Sequence, residues 1–355
     1  MQENCPICKS SNTKISRDGF SKKKNAGSNY LIGINQLKNI KSENLYKKIP
    51  LLYCSDCGTG WRGDSDLSKN IDRIFHTKHS LHWKSFQLFR DFIKGNKQNI
   101  HLESISKLIN LMSMHLNKKL DLIEIGSPLL GFGFFYANPK LIKNNFSHSR
   151  KTYGLEQLLL FQEKLTNIQI IFFKFSSKLK LLIKSFFRKK LKKNEIFNNE
   201  NDINKIMFYD IPTSIGWGAS SIICGQSTLK WLLNLNPNIK LLNKYNVNNQ
   251  YSDITICINY LDHFDAPIEI IKEILQISKC IIFNIHKQND AGIQHKYTFS
   301  KNLAKVITKY LPNDKICKIL SSDIVLLNDY KSYNYFIAGE KDLVLNYINY
   351  LKYQK

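Results

Sequence analysis

The chain has 355 residues and carries 52 Lys and Arg against 28 Asp and Glu, which gives a formal net charge of +24. This length predicts two domains with enough chain for a large core, and the absence of a run of about 18 uncharged apolar residues argues against a transmembrane helix. The charge suits a polyanion such as nucleic acid, but Lys, Asn, Ile and Tyr are abundant together, a bias that low-GC coding also produces. Charge alone therefore does not identify a partner.

Two identical cysteine motifs stand near the start of the chain, Cys5-x-x-Cys8 and Cys54-x-x-Cys57. Together they offer four thiolates for one tetrahedral Zn²⁺ in a closed, structural site. Disulfides are disfavoured because no hydrophobic signal segment opens the sequence, which also predicts a cytoplasmic protein. The alternative is two unrelated cysteine pairs. The other four cysteines stand in apolar surroundings and are predicted to be buried thiols: Cys224, Cys257, Cys280 and Cys317. We predict a zinc-binding domain over residues 1–62.

Residues 63–117 show apolar side chains spaced three and four apart, as from Ile71 to Phe75 and from Leu102 to Met112. This spacing is typical of helices with one buried face. We interpret the segment as a helical linker.

The sequence then changes to short apolar runs of the kind that form buried parallel strands. The first run, Leu120–Gly126, ends in an acid and a glycine. Similar strand-like runs follow at Ser252–Asn259, Lys279–Ile285 and Ile324–Leu327, with a helical stretch at Pro267–Ser278. Alternation of this kind predicts an α/β, Rossmann-like doubly wound sheet over residues 118–340. Residues 341–355 are predicted to form a C-terminal helix.

A basic segment interrupts the predicted sheet at about residues 155–199. Apolar residues near helical spacing alternate with lysines from Lys174 to Lys193, and no acid interrupts them. A basic amphipathic helix can lie on an anionic membrane surface, which would give peripheral membrane contact through residues 174–193. We favour the alternative, a cap helix whose apolar face packs on the core while its lysines stay in water.

Glycines follow the first predicted parallel strand in Glu124-Ile-Gly126-Ser-Pro-Leu-Leu-Gly131-Phe-Gly133. Glycine lets a cofactor approach the backbone, and the next helix N-terminus can meet its polar groups. The segment does not match the G-x-G-x-x-G dinucleotide motif, and no Walker A lysine follows it. It indicates a ligand-binding loop without naming the ligand.

Around the next strand the chain resembles a known family. Asp253 begins a strand that runs into Leu261-Asp-His263, and Pro267 opens the following helix. At these positions the chain resembles the class I S-adenosylmethionine-dependent methyltransferases. The resemblance implies S-adenosylmethionine (SAM) as the cofactor and Leu261 as one of its contacts.

In the same resemblance Glu124 and Gly126 match the acid and the first glycine of the family's cofactor loop. The family has glycine at every second position, whereas Pro128 and Leu130 stand here, and Gly131 and Gly133 restore the glycines later.

Two acids are candidates for binding the cofactor ribose. Glu156 ends the strand-like Tyr153-Gly-Leu-Glu156, and Asp210 ends Ile206-Met-Phe-Tyr-Asp210. We favour Asp210 slightly, because a glycine-punctuated loop suited to a pocket rim follows it at residues 216–220. Either acid can instead be an ordinary carboxylate at a strand end.

The segment Gln294-His295-Lys-Tyr-Thr-Phe299-Ser300 resembles a narrower group, the C-methyltransferases of nucleotide-linked deoxysugars. In that group a histidine before a Phe–Ser pair serves as the base, and a zinc-binding domain with two Cys-x-x-Cys pairs comes first. The resemblance implies His295 as the general base, although Gln294 replaces the family's acid. Methyl transfer to carbon or hydroxyl does need a proton acceptor, and imidazole suits this role. His263 and His286 are alternatives, since both follow predicted strands.

These features favour a SAM-dependent methyltransferase acting on a nucleotide-linked sugar or a similar small polar acceptor. Its zinc-binding domain would cover the acceptor, with Tyr53, Trp61 and Arg62 holding a diphosphate and a base. One alternative is an RNA methyltransferase, although Ile258-Asn-Tyr-Leu261 lacks the Asn-Pro-Pro-Tyr or Pro-Cys motifs of nucleic-acid enzymes. The other is an inactive binding module that keeps the fold.

Overall fold

The structure is a computed structural model. It describes residues 4–21, 49–65, 68, 100–125, 203–209, 239–242, 250–258, 261–287, 289, 292, 295–320 and 333–353. Several sequence predictions lie outside the described residues: Gly126, Gly131, Gly133, Glu156, Asp210, Cys224, the basic insert of residues 155–199 and the strand Ile324–Leu327.

Within the described ranges the chain forms strands and helices in the order expected of an α/β protein. The strands are β1 (Thr13–Ile15), β2 (Leu51–Cys54), β3 (Gly60–Arg62), β4 (Leu120–Ile125), β5 (Ile203–Tyr209), β6 (Ile239–Leu242), β7 (Ser252–Cys257), β8 (Ser278–His286), β9 (Tyr297–Thr298), β10 (Lys315–Leu320) and β11 (Tyr333–Glu340). The helices are α1 (Ile100–Leu116), α2 (Pro267–Ile277), α3 (Leu303–Tyr310) and α4 (Lys341–Tyr353), and a 3-10 turn spans Leu261–His263. None of the described helices is long and apolar enough to cross a membrane.

Seven strands form one large sheet in the order β10-β11-β8-β7-β4-β5-β6. Strands β4 to β8 run parallel to one another, whereas β11 runs antiparallel to β8 and to β10. The predicted α/β, Rossmann-like class is therefore confirmed. From β4 the chain continues to β5 on one side and later returns to β7 on the other. The strand order thus reverses between β4 and β7, and in open α/β sheets ligands bind at the carboxyl ends of the strands at such a point.

The central strands are buried because both faces of a parallel sheet are covered. Every residue of β7 is buried, as are the middle residues of β8. Helix α2 begins at Pro267, a residue that suits the first turn, and buries Ile271, Ile274 and Leu275. The turn at Leu261–His263 lies just before this helix, so the end of β7 and the start of α2 fix its position.

A second sheet has the order β1-β2-β3-β9, and its last strand comes from a distant part of the chain. Strands β1 to β3 belong to the cysteine-bearing region, whereas β9 lies beyond β8 of the large sheet. Gly60 pairs with Thr298 and Trp61 pairs with Tyr297. A Cβ at Gly60 would lie 2.6 Å from Thr298 Oγ1 and 2.9 Å from the carbonyl oxygen of Asp18, so glycine allows the strands to approach. This strand addition was not predicted.

Asp253 at the start of β7 ties three strands of the large sheet together. Its carboxylate accepts hydrogen bonds from Lys118 Nζ at 2.6 Å and from the backbone N–H of Asp121 at 3.1 Å. Lys279 Nζ lies 3.2 Å away. Burial raises the pKa of Asp253, but these donors outweigh it and hold the pKa below its usual value. Asp253 is thus an ionised structural group at the amino ends of the strands.

We expect Asp253→Asn to lower the free energy of unfolding by about 2–3 kcal/mol, because it removes a carboxylate that two lysines and one amide contact. The folded-state pKa is lowered, so the stabilisation is present above the unfolded pKa of about 3.9 and is lost as the pH falls through the folded pKa. Urea melts of both proteins between pH 3 and pH 7 measure this. The exposed Asp314 provides the control substitution Asp314→Asn. A difference from wild type that stays constant down to pH 3 would contradict the assignment.

Candidate functional site

The four cysteines of the two motifs form one cluster, as predicted. Cys5 Sγ lies 3.6 Å from Cys57 Sγ, and Cys8 Sγ lies 3.5 Å from Cys54 Sγ. All four sulfur atoms lie within 4.8 Å of one another. A tetrahedral zinc ion with Zn–S bonds of about 2.3 Å places its sulfurs about 3.8 Å apart. The donor set and its spacing therefore fit a structural Zn²⁺ with no open coordination position.

The two cysteine motifs fold alike, which explains how they meet. The residue after each second cysteine has a left-handed backbone, with φ of 62° at Lys9 and 72° at Gly58. In each motif that residue's N–H donates to the carbonyl of the first cysteine at 2.9 Å. Asp56 joins the motifs by accepting hydrogen bonds from Ser10 and Asn12 at 2.5 and 2.7 Å. These bonds fix the cysteines independently of the large sheet.

Burial and close packing keep the thiols of Cys8 and Cys57 protonated when no cation is bound. Burial raises the pKa of Cys8 to about 11. The Cys5 thiol, together with burial, raises the pKa of Cys57 well above its usual value. Four thiolates this close repel one another, and a divalent cation is what makes them favourable together. A divalent cation bound by this cluster would displace the thiol protons.

A second group of candidate site residues lies at the carboxyl ends of the central strands. Glu124 in β4 is 6% exposed, and Leu261 in the 3-10 turn is also buried. Cys257 ends β7 opposite Ile125 of β4, at the point where the strand order reverses. Burial, with Asp262 and Glu124 nearby, raises the pKa of Cys257 well above its usual value. A thiol held neutral in this way is not a nucleophile.

His295 and Asp262 form a buried pair at this edge of the sheet. His295 Nδ1 lies 2.5 Å from Asp262 Oδ2, and the residues are 5% and 3% exposed. A carboxylate at this distance favours the imidazole tautomer with its proton on Nδ1, in which Nε2 is the basic nitrogen. A carboxylate that orients an imidazole in this way is the arrangement of a general base.

His286 lies beside this pair. Its ring centroid is 4.5 Å from that of His295, in an edge-on arrangement, and 4.5 Å from that of Tyr333. His286 ends β8 and pairs with Tyr333 of β11. The structure thus brings two of the three predicted histidines together. The third, His263, ends the 3-10 turn, and its side chain lies outside the described part of the chain.

Trp61 and Arg62, which were expected to face an acceptor, are buried in the cysteine-bearing region. The guanidinium of Arg62 donates to the backbone and side-chain oxygens of Ser68 at 2.7 and 3.0 Å and to the carbonyl of His295 at 3.1 Å. Tyr53 is half-buried, with Lys14 Nζ 5.5 Å from its ring centroid. Because Trp61 and Arg62 are buried, they pack inside the protein and do not face an acceptor as expected.

Asp262 was missed by sequence reasoning, which looked for an acid next to His295 and found Gln294. The partner comes from a turn 33 positions earlier in the chain. The only signal in the sequence is its place, because a carboxylate directly after the carboxyl end of a predicted strand lies at the ligand-binding edge. That signal does not identify which histidine the carboxylate meets.

No family model matches the chain, and no curated protein matches it. Among solved structures it is similar to the plantazolicin methyltransferase BpumL in complex with SAH, at 8% identity and a TM-score of 0.37 over 78% of this chain and 100% of that one. The N-terminal domain of EvdMO1 in the presence of SAH and D-fucose is similar at 7% identity and a TM-score of 0.31 over 67% of this chain and 82% of that one. The [4+2]-cyclase SpnF is similar at 10% identity and a TM-score of 0.34 over 74% of this chain and 96% of that one. At these scores the likeness is partial, and the fold assignment rests on the strand order itself.

Proposed function

We propose that the protein is a SAM-dependent methyltransferase that acts on a nucleotide-linked sugar or a similar small polar acceptor, with His295 as general base. The observation that carries the proposal is the buried pair of His295 Nδ1 and Asp262 Oδ2, 2.5 Å apart. The pair lies beside the point where the strand order of a Rossmann-like sheet reverses. The sheet agrees with the fold that the resemblance to class I methyltransferases implies.

The residues at this edge fit SAM chemically. SAM carries a positive sulfonium and a positive ammonium group, and Glu124 and Asp262 place two buried carboxylates there. Negative charge at this edge of the sheet attracts a cationic ligand. Glu124 and Leu261 would hold SAM, together with the glycine loop after β4 and the ribose-binding acid, Asp210 or Glu156. When bound, SAM supplies an electrophilic methyl group.

The chain's own residues supply the proton transfer. In the tautomer that Asp262 favours, with the proton on Nδ1, Nε2 accepts a proton from the carbon or hydroxyl of the acceptor as that atom becomes nucleophilic. The imidazolium formed is stabilised by the same carboxylate, which holds its orientation as well. Because both side chains are nearly inaccessible to solvent, water competes little for the basic nitrogen.

SAH binding tests the function at its first step. We expect the zinc-loaded protein to bind SAH saturably in a calorimeter, and Glu124→Gln to weaken binding about 10- to 100-fold by removing one charge-assisted hydrogen bond. The control is Asp121→Asn at the opposite end of the same strand, where the carboxylate accepts from Asn204. Folded protein that binds neither SAH nor SAM would rule out this function and the RNA methyltransferase, and would leave the inactive binding module.

Asp262→Asn tests the base. We expect turnover with a nucleotide-linked deoxysugar to fall about 10²- to 10⁴-fold, because the amide no longer holds Nδ1–H or stabilises the imidazolium. The ¹⁵N shifts of His295 should change from one tautomer to a mixture. Asp265→Asn is the matched control, since Asp265 pairs with Lys296 one residue from the base. An unchanged tautomer and unchanged turnover in Asp262→Asn would remove Asp262 from the mechanism.

A further inference from the structure

The segment that carries His295 belongs to the sheet of the zinc-binding domain. Strand β9 lies two residues after His295 and pairs with β3 at Gly60–Thr298 and Trp61–Tyr297. Among the described residues β9 pairs with no strand of the large sheet. The backbone on the C-terminal side of the base is therefore held by β3 of the zinc-binding domain, whereas Asp262 lies in the turn after β7. The side chains of Lys296 and Tyr297 add contacts to Asp265 beside that turn.

The second cysteine motif contacts this segment directly. Ser300 Oγ donates to the carbonyl of the metal-ligand candidate Cys57 at 2.8 Å. Gly58 lies so close that a Cβ there would be 2.8 Å from the same Ser300 Oγ. A third tie lies on the N-terminal side, where the N–H of Asn289 donates to the carbonyl of Gly19 at 2.8 Å. The fold of the cysteine cluster and the path of residues 295–300 therefore depend on each other.

Arg62 contacts the backbone of His295 itself. Its Nε donates to the carbonyl of His295 at 3.1 Å, and its backbone N–H donates to the carbonyl of Lys296 at 3.1 Å. Its Nη1 is held by Ser68, and the whole residue is 3% exposed. The guanidinium is a rigid, planar set of donors, so it fixes the direction of the carbonyl in a way that the flexible lysine ammonium does not.

We propose that Arg62 is a positioning residue, through which the metal-stabilised domain holds His295 against Asp262. The inference rests on the proposed function for the role of His295. The zinc-binding domain then supports the base in addition to covering the acceptor, and loss of the metal loosens the position of His295 relative to Asp262. No electron transfer or covalent step is involved, because the coupling is through hydrogen bonds and strand pairing.

Hydrogen–deuterium exchange of the full chain tests the coupling without any substrate. After zinc is removed by a chelator under reducing conditions, we expect residues 295–300 to lose protection together with β2 and β3. Strand β8 in the large sheet should keep its protection and serves as the internal reference. Protection of residues 295–300 that persists while β2 and β3 open would overturn the proposal. If β8 loses protection as well, the coupling is tested instead with the zinc-retaining variants Arg62→Lys and Ser300→Ala.

Arg62→Lys keeps the charge and removes the planar donors. We expect it to retain zinc and SAH affinity, to change His295 from one tautomer to a mixture in ¹⁵N spectra, and to lower kcat about 10- to 100-fold at unchanged KM. Arg17→Lys is the matched control, because its guanidinium also donates to a carbonyl, that of Ser21, at 2.6 Å in the same domain. Arg62→Lys that behaves like this control would overturn the assignment.

Ser300→Ala provides a second variant if Arg62→Lys does not fold. It removes one hydrogen bond to Cys57 and should cause the same change of tautomer with zinc retained; an unaltered tautomer would contradict the coupling. Failure of the proposed function is distinguishable, since that would appear as absent SAH binding while the exchange and tautomer results stand unchanged.

Discussion

His295→Gln is expected to lower turnover about 10²- to 10⁴-fold while SAH affinity stays at the wild-type level. Glutamine fills a similar space and can still donate to Asp262, but it offers no basic nitrogen to the acceptor. The loss should therefore appear in kcat, because the substitution removes an interaction that matters only as the proton moves. The measurement is a comparison of kcat, KM and the SAH dissociation constant in the two proteins with a nucleotide-linked deoxysugar as acceptor.

The other histidines give the controls for this prediction. His115→Gln alters a ring that packs at a tilt against Tyr350 of α4, and it should leave turnover unchanged. His286→Gln and His263→Gln test the two competing bases, and we expect each to cost less than His295→Gln. If His286→Gln abolished turnover and His295→Gln did not, the base would be His286, and the pair with Asp262 would be structural.

The metal cluster and the central strands were predictable from local patterns. The spacing of Cys5, Cys8, Cys54 and Cys57 defines a ligand set by itself, because two such motifs suit one ion. The runs that became β4, β7 and β8 are short, apolar and flanked by polar residues or a helix signal, which is how buried parallel strands look. In these places the physical determinant lies within a few neighbouring residues, so the sequence displays it.

The partners of β9 and of His295 were not predictable, because they depend on long-range contacts. Strand β9 is two residues long, and nothing in Tyr297-Thr298 indicates that it completes a sheet begun more than 200 positions earlier. The pairing of Asp262 with His295 depends on how the turn after β7 meets that segment. Strand β11 was missed too, since polar and apolar residues alternate only over Tyr333-Asn-Tyr335 and the apolar run after them is short. Close approaches such as Gly60 to Thr298 set these contacts, and no single-sequence pattern encodes them.

Cys57→Ser is expected to remove bound zinc and to destabilise the N-terminal sheet more than any single change in the described core, because metal binding in such sites contributes directly to folding. Serine has a weaker, harder oxygen ligand in place of a thiolate, and three thiolates hold the ion much less tightly. Metal analysis should give one zinc per wild-type chain and less than one in the variant. Limited proteolysis should cut residues 5–62 of the variant first, since their short strands have little core of their own.

The matched control is Cys317→Ser in β10. This thiol is also buried, and burial raises its pKa in the same direction, but it lies in the large sheet. Its substitution should cost stability by placing a hydroxyl in an apolar site, with zinc content unchanged. Wild-type protein that folds fully without metal, or Cys57→Ser that keeps a full equivalent of zinc, would refute the structural site. Because residues 295–300 pair with the same sheet, the destabilisation in Cys57→Ser should extend to the segment that carries His295, which Cys317→Ser should leave protected.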